Sequence, residues 1–219
     1  MKIKSFILPI FALILSACSG GSGGGGESVF EPAVDYTVFP MIENCAEENV
    51  REVKYHACRN SRDIYEAALA SAKAKNQPLM VTFGFNTCPY CAVLEAEIYD
   101  PKNPVTSEDV TQYLSGEAAA EFGDRKISTV RLHARSEHGL KLANDLGVTR
   151  MARARGWHRV WSPFVVMVNP ETGAMASESL WEAKEIHCDY AANLAVNLEN
   201  IRYVDRGTPQ LRRARCPKT

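Results

Sequence analysis

Residues 78–100 read PLMVTFGFNTCPYCAVLEAEIYD. The run Leu79–Phe85 is continuously apolar and of strand length, as a buried strand requires. From Cys88 onward the pattern turns helical. Pro89 suits a first helical turn, where its missing N–H costs nothing, and Tyr99-Asp100-Pro101 closes the segment. Cys88 and Cys91 therefore sit where a strand meets a helix. Two cysteines at that spacing exchange electrons, hold a metal or staple a fold, and the rest of the chain has to discriminate.

The N-terminus bears on the redox compartment. Lys2 and Lys4 precede the apolar run FILPIFALIL, and LSAC follows, ending at Cys18. A basic start, a short apolar run and small residues before a cut site describe an export signal over 1–17. The run falls short of the ~20 apolar residues of a membrane span. LSAC also resembles the bacterial lipobox, which implies lipidation of Cys18 as the first mature residue. GGSGGGG follows at once, a flexible tether within 18–28. The resemblance implies a lipid anchor on an envelope membrane, periplasm-facing, with Ser19 compatible with the outer membrane. Losing Lys2 and Lys4 takes the formal charge from −1 to −3. That balance gives no footprint for nucleic acid.

Without Cys18, six cysteines remain: Cys45, Cys58, Cys88, Cys91, Cys188 and Cys216. An even number in an exported protein suggests disulfides, whose pairing sequence leaves open. If Cys88 pairs with Cys91, the local choices are Cys45 with Cys58 and Cys188 with Cys216. Each would add roughly 2–4 kcal/mol by restricting the unfolded chain. The histidines His56, His133, His138 and His187 lack ligand spacing with Cys88 and Cys91. No second CxxC exists, so a four-ligand zinc site is not expected.

The elements extend in both directions. NSRDIYEAALASAKAKNQ (60–77) predicts a helix with Asn60 as N-cap, Asp63 in the first turn and Ile64, Ala67, Ala68 and Leu69 on its apolar face. KISTVRLHA (126–134) is β-rich. SEHGLKLANDLGV (136–148) predicts a helix stopped at Gly147. FVVMVN, the turn NPETG and AMASES make a hairpin, and residues 187–204 a closing helix. Alternating helices and strands followed by a hairpin predict an α/β fold, a central mixed sheet flanked by helices. An arm at 29–60 precedes the domain at 61–219, which carries insertions at about 100–125 and 149–161.

The run Ile64–Val204 resembles the thioredoxin fold. Strand LMVTFGF leads into NTCPYC at a helix start; NDLGV resembles the helix end before that family's cis-proline strand; WSPFVVMVNPETG resembles that strand and hairpin, with Pro163 in the cis position. Pro89-Tyr90 between the cysteines is the glutaredoxin-type dipeptide, and the export signal is similar to periplasmic thioredoxin-like lipoproteins. The resemblance implies Cys88 as nucleophile and Cys91 as resolver, with Pro163, Ser162, Pro89 and Tyr90 shaping a substrate groove. At a helix N-terminus the Cys88 thiol should ionise below the free value of ~8.5 and be the more exposed sulfur. No cofactor or metal is implied, since the electrons sit on the sulfurs.

Three features depart from that family. Thr82 stands six residues before Cys88, where thioredoxins carry a buried aspartate, leaving Glu95 or water as substitutes. DPKNPVTSEDVTQYLSGEAAAEFGDR is inserted after the active-site helix, and TRMARARGWHRVW before Pro163. The second insertion reads either as a basic, aromatic substrate lip or as a solvated basic helix packing Trp157 and Trp161 on the core. The function expected is an envelope thiol–disulfide oxidoreductase acting on cysteine-containing exported proteins and recharged by a second redox protein. The rival is a non-catalytic binding module holding Cu(I) or a partner protein.

Overall fold

The structure is a computed structural model, and it describes residues 30–98, 126–154, 160 and 162–176. Along the chain lie β1 (Phe30–Pro32), a 3-10 turn (Tyr36–Val38), α1 (Ser61–Ala74), β2 (Leu79–Gly84), α2 (Pro89–Ile98), β3 (Ile127–His133), α3 (Glu137–Asp145), α4 (Val148–Ala154), β4 (Phe164–Val168) and β5 (Met175–Ala176). The sheet order is β1-β3-β2-β4-β5. β1, β3 and β2 run parallel, while β4 and β5 are antiparallel to their neighbours. This is the mixed central sheet of the thioredoxin-like fold.

The helix boundaries follow local chemistry. Asn60 caps α1, its side chain accepting from the Arg62 amide at 3.0 Å. At the other end Asn76 takes a left-handed conformation (φ 50°). Its amide donates to Lys73 at 3.0 Å, and the next amide, Gln77, reaches back to Ala72 at 2.9 Å. That is the Schellman arrangement, which satisfies the carbonyls a helix end leaves open. Ser136 caps α3, and Gly147 (φ 76°) ends it as its sequence position predicts.

Side chains alternate across the central strands. Leu79, Val81 and Phe83 share one face with their partners Val130, Leu132, Phe164, Val166 and Val168. There they meet Ile64, Tyr65, Ala68 and Ala72 of α1, Leu142 and Ala143 of α3, and Val148 and Ala152 of α4 in one core. All six residues of β2 are buried. At roughly 1.5–3 kcal/mol per large apolar side chain removed from water, this strand anchors the domain. The opposite face carries Met80, Thr82, Gly84 and Arg131, and α2 covers that side.

Two sequence expectations need amending here. The arm over 29–60 also supplies β1, which pairs with β3 through Phe30–Ile127, Glu31–Ser128 and Pro32–Thr129. Three residues ending in proline carry too little alternation to read as a strand. Tyr65 joins Ile64 and Ala68 as a buried anchor of α1, whereas Ala67 and Leu69 are only half-buried. The start of the second insertion is helix α4, with Val148 and Ala152 buried and Arg150 and Arg153 exposed. The signal segment, Cys18, Cys188, Cys216, the insertion at 100–125, Trp157, Trp161 and the closing helix lie outside the described residues. Among the described residues no helix is long and apolar enough to cross a membrane.

Candidate active site

β2 delivers the chain through Phe85, Asn86 and Thr87 to Cys88, immediately before α2. The Cys88 carbonyl accepts from the Ala92 amide at 3.2 Å, which makes Cys88 the N-cap residue. The Cys91 amide, three positions on, donates to Cys88 Sγ at 3.3 Å. A serine or aspartate at an N-cap uses its side-chain oxygen in the same way. The two-residue spacing is thus a capping geometry, with sulfur as the acceptor.

That geometry polarises the two sulfurs in opposite directions. The Cys88 thiol is lowered to about 7, first by the hydrogen bond from the Cys91 side chain. The backbone amides of Cys91 and Tyr90 and the Arg135 charge act in the same direction, and burial opposes them. Cys91 is pushed strongly up, by its hydrogen bond to Cys88, by burial and by the negative charges of Cys88 and Glu95. The helix start thus favours a thiolate on Cys88 and keeps Cys91 a thiol. Both cysteines are free of disulfides.

The Ser162–Pro163 bond is cis, as the resemblance implies. In its thiol form Cys88 Sγ donates to the Ser162 carbonyl at 3.3 Å, so Ser162 meets the site through its backbone. Pro163 is buried, whereas Pro89 and Tyr90 are exposed. All six residues read from sequence as nucleophile, resolver and groove therefore gather at the head of α2 and the start of β4. Cys88 is the more exposed sulfur only by a margin, at 3% against 2% for Cys91, and both are buried. Phe85 and Tyr55 pack beside both sulfurs, and the Ser162 carbonyl closes on Cys88.

Tyr55 belongs to the arm, whose importance the sequence did not disclose. Cys45 and Cys58 form a disulfide with an S–S distance of 2.05 Å, the local pairing expected. The loop it closes is built onto the active-site turn. Asn86 Oδ1 accepts from the amides of Lys54 and Tyr55 at 2.8 and 2.9 Å, and Asn86 Nδ2 donates to the Tyr55 carbonyl at 2.8 Å. Glu48 accepts from the Asn86 amide at 2.6 Å. Gly84 leaves room for the Tyr55 ring: a Cβ there would lie 2.5 Å from Tyr55 Cε1 and 3.0 Å from Cys91 Sγ. Arg135 stacks its guanidinium 3.4 Å above the centre of the Phe85 ring, which places a cation beside Cys88.

On the inner side of Cys91 the polar groups differ from those of thioredoxins. Thr82 is fully buried, and its hydroxyl has no hydrogen-bond partner among the described residues. Its register partner on β3 is Arg131. Arg131 makes a two-pronged contact with Glu95 of α2, Nε to Oε1 and Nη2 to Oε2, both at 2.7 Å. The Tyr55 hydroxyl adds a bond to Glu95 Oε1 at 3.1 Å. Glu95, Arg131, Tyr55, Lys54 and Cys91 border one cleft of about 610 Å³. Among the described residues no group of three or more histidine, cysteine, aspartate or glutamate side chains is placed to hold a metal.

Residues 65–151 match the family described as thioredoxin-like domain, in agreement with the sheet order and the position of the CxxC pair. Two solved structures are found as similar to this chain. The disulphide isomerase from Xylella fastidiosa Temecula1 is 16% identical, with 70% of this chain and 99% of that chain covered and a TM-score of 0.40. A thioredoxin from Thermus thermophilus is 24% identical, with 64% of this chain and 83% of that chain covered and a TM-score of 0.33. A search of curated proteins finds no match.

Proposed function

Starting from a thioredoxin-like domain with its CxxC pair at the head of α2, we propose that this protein is a thiol–disulfide oxidoreductase of the bacterial envelope. The observation that carries the reading is the split between the two sulfurs. Cys88, lowered to about 7, caps the helix beside cis Pro163, while Cys91 is held as a thiol behind it. A nucleophile needs a thiolate near ambient pH, and a resolving group must stay protonated until its turn comes.

In the reducing direction, Cys88 Sγ attacks one sulfur of a client disulfide. A Cys88–client bond forms, the client bond breaks, and the departing client sulfur takes the electron pair and then a proton. Cys91 loses its proton and attacks Cys88 Sγ. The Cys88–Cys91 disulfide forms and the second client sulfur leaves as a thiolate. The client has gained two electrons and the protein has lost two. Run backwards, the same steps donate a disulfide. A second redox protein must then restore the starting state. No cofactor enters, since the sulfurs carry the electrons. The cis Pro163 strand offers backbone groups for an extended client segment.

Clients in this reading are exported cysteine-containing proteins. The protein reaches them from a lipid on Cys18 through the Gly/Ser tether, on a periplasm-facing membrane surface. Support for that placement is the N-terminal sequence. The test replaces Cys91 by serine in the full chain and expresses it in a bacterial envelope. Clients should accumulate as mixed disulfides with Cys88 that a reductant releases. Absence of such species, together with a pair that never titrates in graded glutathione buffers, would leave the Cu(I)-binding or partner-binding scaffold instead.

A further inference from the structure

Arg135 is exposed and lies between β3 and α3, yet its position is fixed. The amide before it, Ala134, donates to the Gly84 carbonyl at the end of β2 at 2.6 Å. The amides of Arg135 and Ser136 both donate to Nδ1 of the buried His133, at 3.3 and 2.9 Å. The side chain is held as well, because its guanidinium stacks 3.4 Å above the centre of the Phe85 ring. An exposed arginine with no such contact samples many rotamers and loses that freedom when a partner arrives. Here the fold has removed much of it before any client binds.

Stacking uses the flat face of the guanidinium and leaves its in-plane N–H donors for other partners. Among the described residues no carboxylate forms an ion pair with Arg135. Glu137, two residues on, is exposed and makes none. Glu48 of the arm is engaged with the Asn86 amide at 2.6 Å and the Thr87 hydroxyl at 3.4 Å, and His133 Nε2 lies 3.7 Å from it. A cation is thus held in place beside the nucleophile without an anion of its own.

The sheet order sets where this cation stands. β3 and β4 flank β2 on opposite sides. β3 is parallel to β2 and β4 antiparallel, so the end of β3 and the start of β4 lie at the end of β2 that delivers Cys88. Arg135 follows β3 and Ser162 precedes β4, which brings them to Cys88 from opposite flanks. Phe85, under the guanidinium, packs beside Cys88. A client cysteine bonded to Cys88 would therefore have the cis Pro163 strand on one side and Arg135 on the other. At about 3.3 Å per residue of extended chain, a side chain one or two positions from that cysteine reaches the guanidinium.

We propose that Arg135 is a specificity-determining residue that pairs with an aspartate or glutamate of the client, one or two positions from the cysteine that Cys88 attacks. This inference rests on the redox reading above and names the clients it favours. A guanidinium takes a carboxylate through two parallel hydrogen bonds, a geometry specific to its planar fork. Arg135 makes and breaks no bond to sulfur; it selects which client sulfur is presented.

The test uses the full chain carrying Cys91→Ser, so that attack stops at the mixed disulfide. Two matched peptides hold their cysteine as a disulfide with thiopyridine, one with glutamate beside the cysteine and one with glutamine. The Cys88 thiolate attacks the peptide sulfur and the Cys88–peptide bond forms. Thiopyridine leaves with the electron pair and takes a proton, and its absorbance gives the rate. Each rate is divided by that of mercaptoethanol on the same peptide, which removes the peptide's own reactivity. The ionised fraction of Cys88 is common to both peptides and cancels from their ratio. At low salt the glutamate peptide should react about three- to tenfold faster than the glutamine peptide, and the ratio should fall as salt is raised. In Arg135→Gln the ratio should drop to about one, and in Arg135→Glu below one. Equal rates without the Arg135 change, or a ratio unmoved in Arg135→Gln, would overturn the inference. Reaction with the glutamine peptide checks that each variant folds. Should Arg135→Gln not react, an unmoved ratio in Arg135→Glu overturns the inference instead. Rates no faster than those of mercaptoethanol on both peptides would sink the redox reading itself, a result distinguishable from fast but equal rates.

Discussion

Asn86 and Tyr55 are bound to each other twice, through the Tyr55 amide at 2.9 Å and its carbonyl at 2.8 Å. One polar side chain on the active-site turn therefore fastens the arm backbone at Tyr55. This matters because the Tyr55 ring lies against Cys91. Asn86→Ala would take an acceptor from the Lys54 and Tyr55 amides and a donor from the Tyr55 carbonyl. Leaving a partly buried group unsatisfied costs about 1–3 kcal/mol. We expect a loss of ~2–4 kcal/mol in denaturant unfolding, since Glu48 still pins the turn at the Asn86 amide. Cys91 should also alkylate faster in the reduced variant. Unfolding midpoint and Cys91 labelling both at parental values would show that Asn86 does not hold the arm.

The opposite shifts of the two thiols predict a distinctive pH profile. Labelling of reduced Cys88 by iodoacetamide should rise through an inflection near pH 7, and Cys91 should stay unlabelled there. Stability of the dithiol form follows from the same shifts. Between about 7 and the ordinary thiol value of 9.0 the unfolded chain binds more protons than the folded one. Stability therefore rises with pH across that window, by about 1–2 kcal/mol, and this contribution is lost as pH falls through 7. Cys91 is shifted upward, so above about pH 9 the folded chain holds the extra proton and stability declines. Arg135→Gln should move the labelling inflection upward. A Cys88 inflection at or above pH 8.5 would contradict the capping account.

Removing the Cys45–Cys58 bond tests whether the arm is part of the site. Thirteen positions separate the two cysteines, and a loop of about that size restricts the unfolded chain by ~3 kcal/mol. A generic staple would lose that stability and nothing else. Here the closed loop carries Glu47, Glu48 and Tyr55. Glu47 ties the loop to itself at the Ala57 and Cys58 amides, 2.8 and 3.2 Å away. The double variant Cys45→Ser with Cys58→Ser should therefore lose ~2–4 kcal/mol and also shift the Cys88–Cys91 reduction potential. A potential identical to the parent would make the disulfide a staple only.

What could be read from residue order was the part governed by local rules. Asn60, Pro89 and Gly147 mark helix ends because capping is a property of a few adjacent residues. Cys88, Cys91 and Pro163 were legible because a strand, a helix start and a second strand carry them in a known order. The arm was not legible. Asn86 and Glu48 look like ordinary loop polars, and their meaning depends on contacts spanning more than thirty residues. Arg131 sits in a β-rich run with no mark of its role, yet it is the partner of Glu95. Glu95 could be named, beside water, as a substitute for the strand acid that Thr82 replaces, though its counter-ion could not. Burial of Cys88 was missed for the same reason, since the Ser162 carbonyl and the Tyr55 ring arrive from distant segments.

Thr82 offers the sharpest check on how the inner face works. Its hydroxyl is buried and has no hydrogen-bond partner among the described residues, so it is a cost the fold carries rather than a working group. Val165 on β4 and Arg131 on β3 flank it in register. Thr82→Val keeps the branched shape and removes the orphaned oxygen. Stability should be unchanged or rise by up to about 1 kcal/mol, with no change in the rate at which Cys91 resolves a mixed disulfide. If instead the valine slowed resolution, the hydroxyl would have to take part in that step rather than be only a cost to the fold. Unfolding midpoints and the single-turnover rate of Cys91 attack on a mixed disulfide at Cys88, measured side by side on Thr82→Val and the parent, separate these cases.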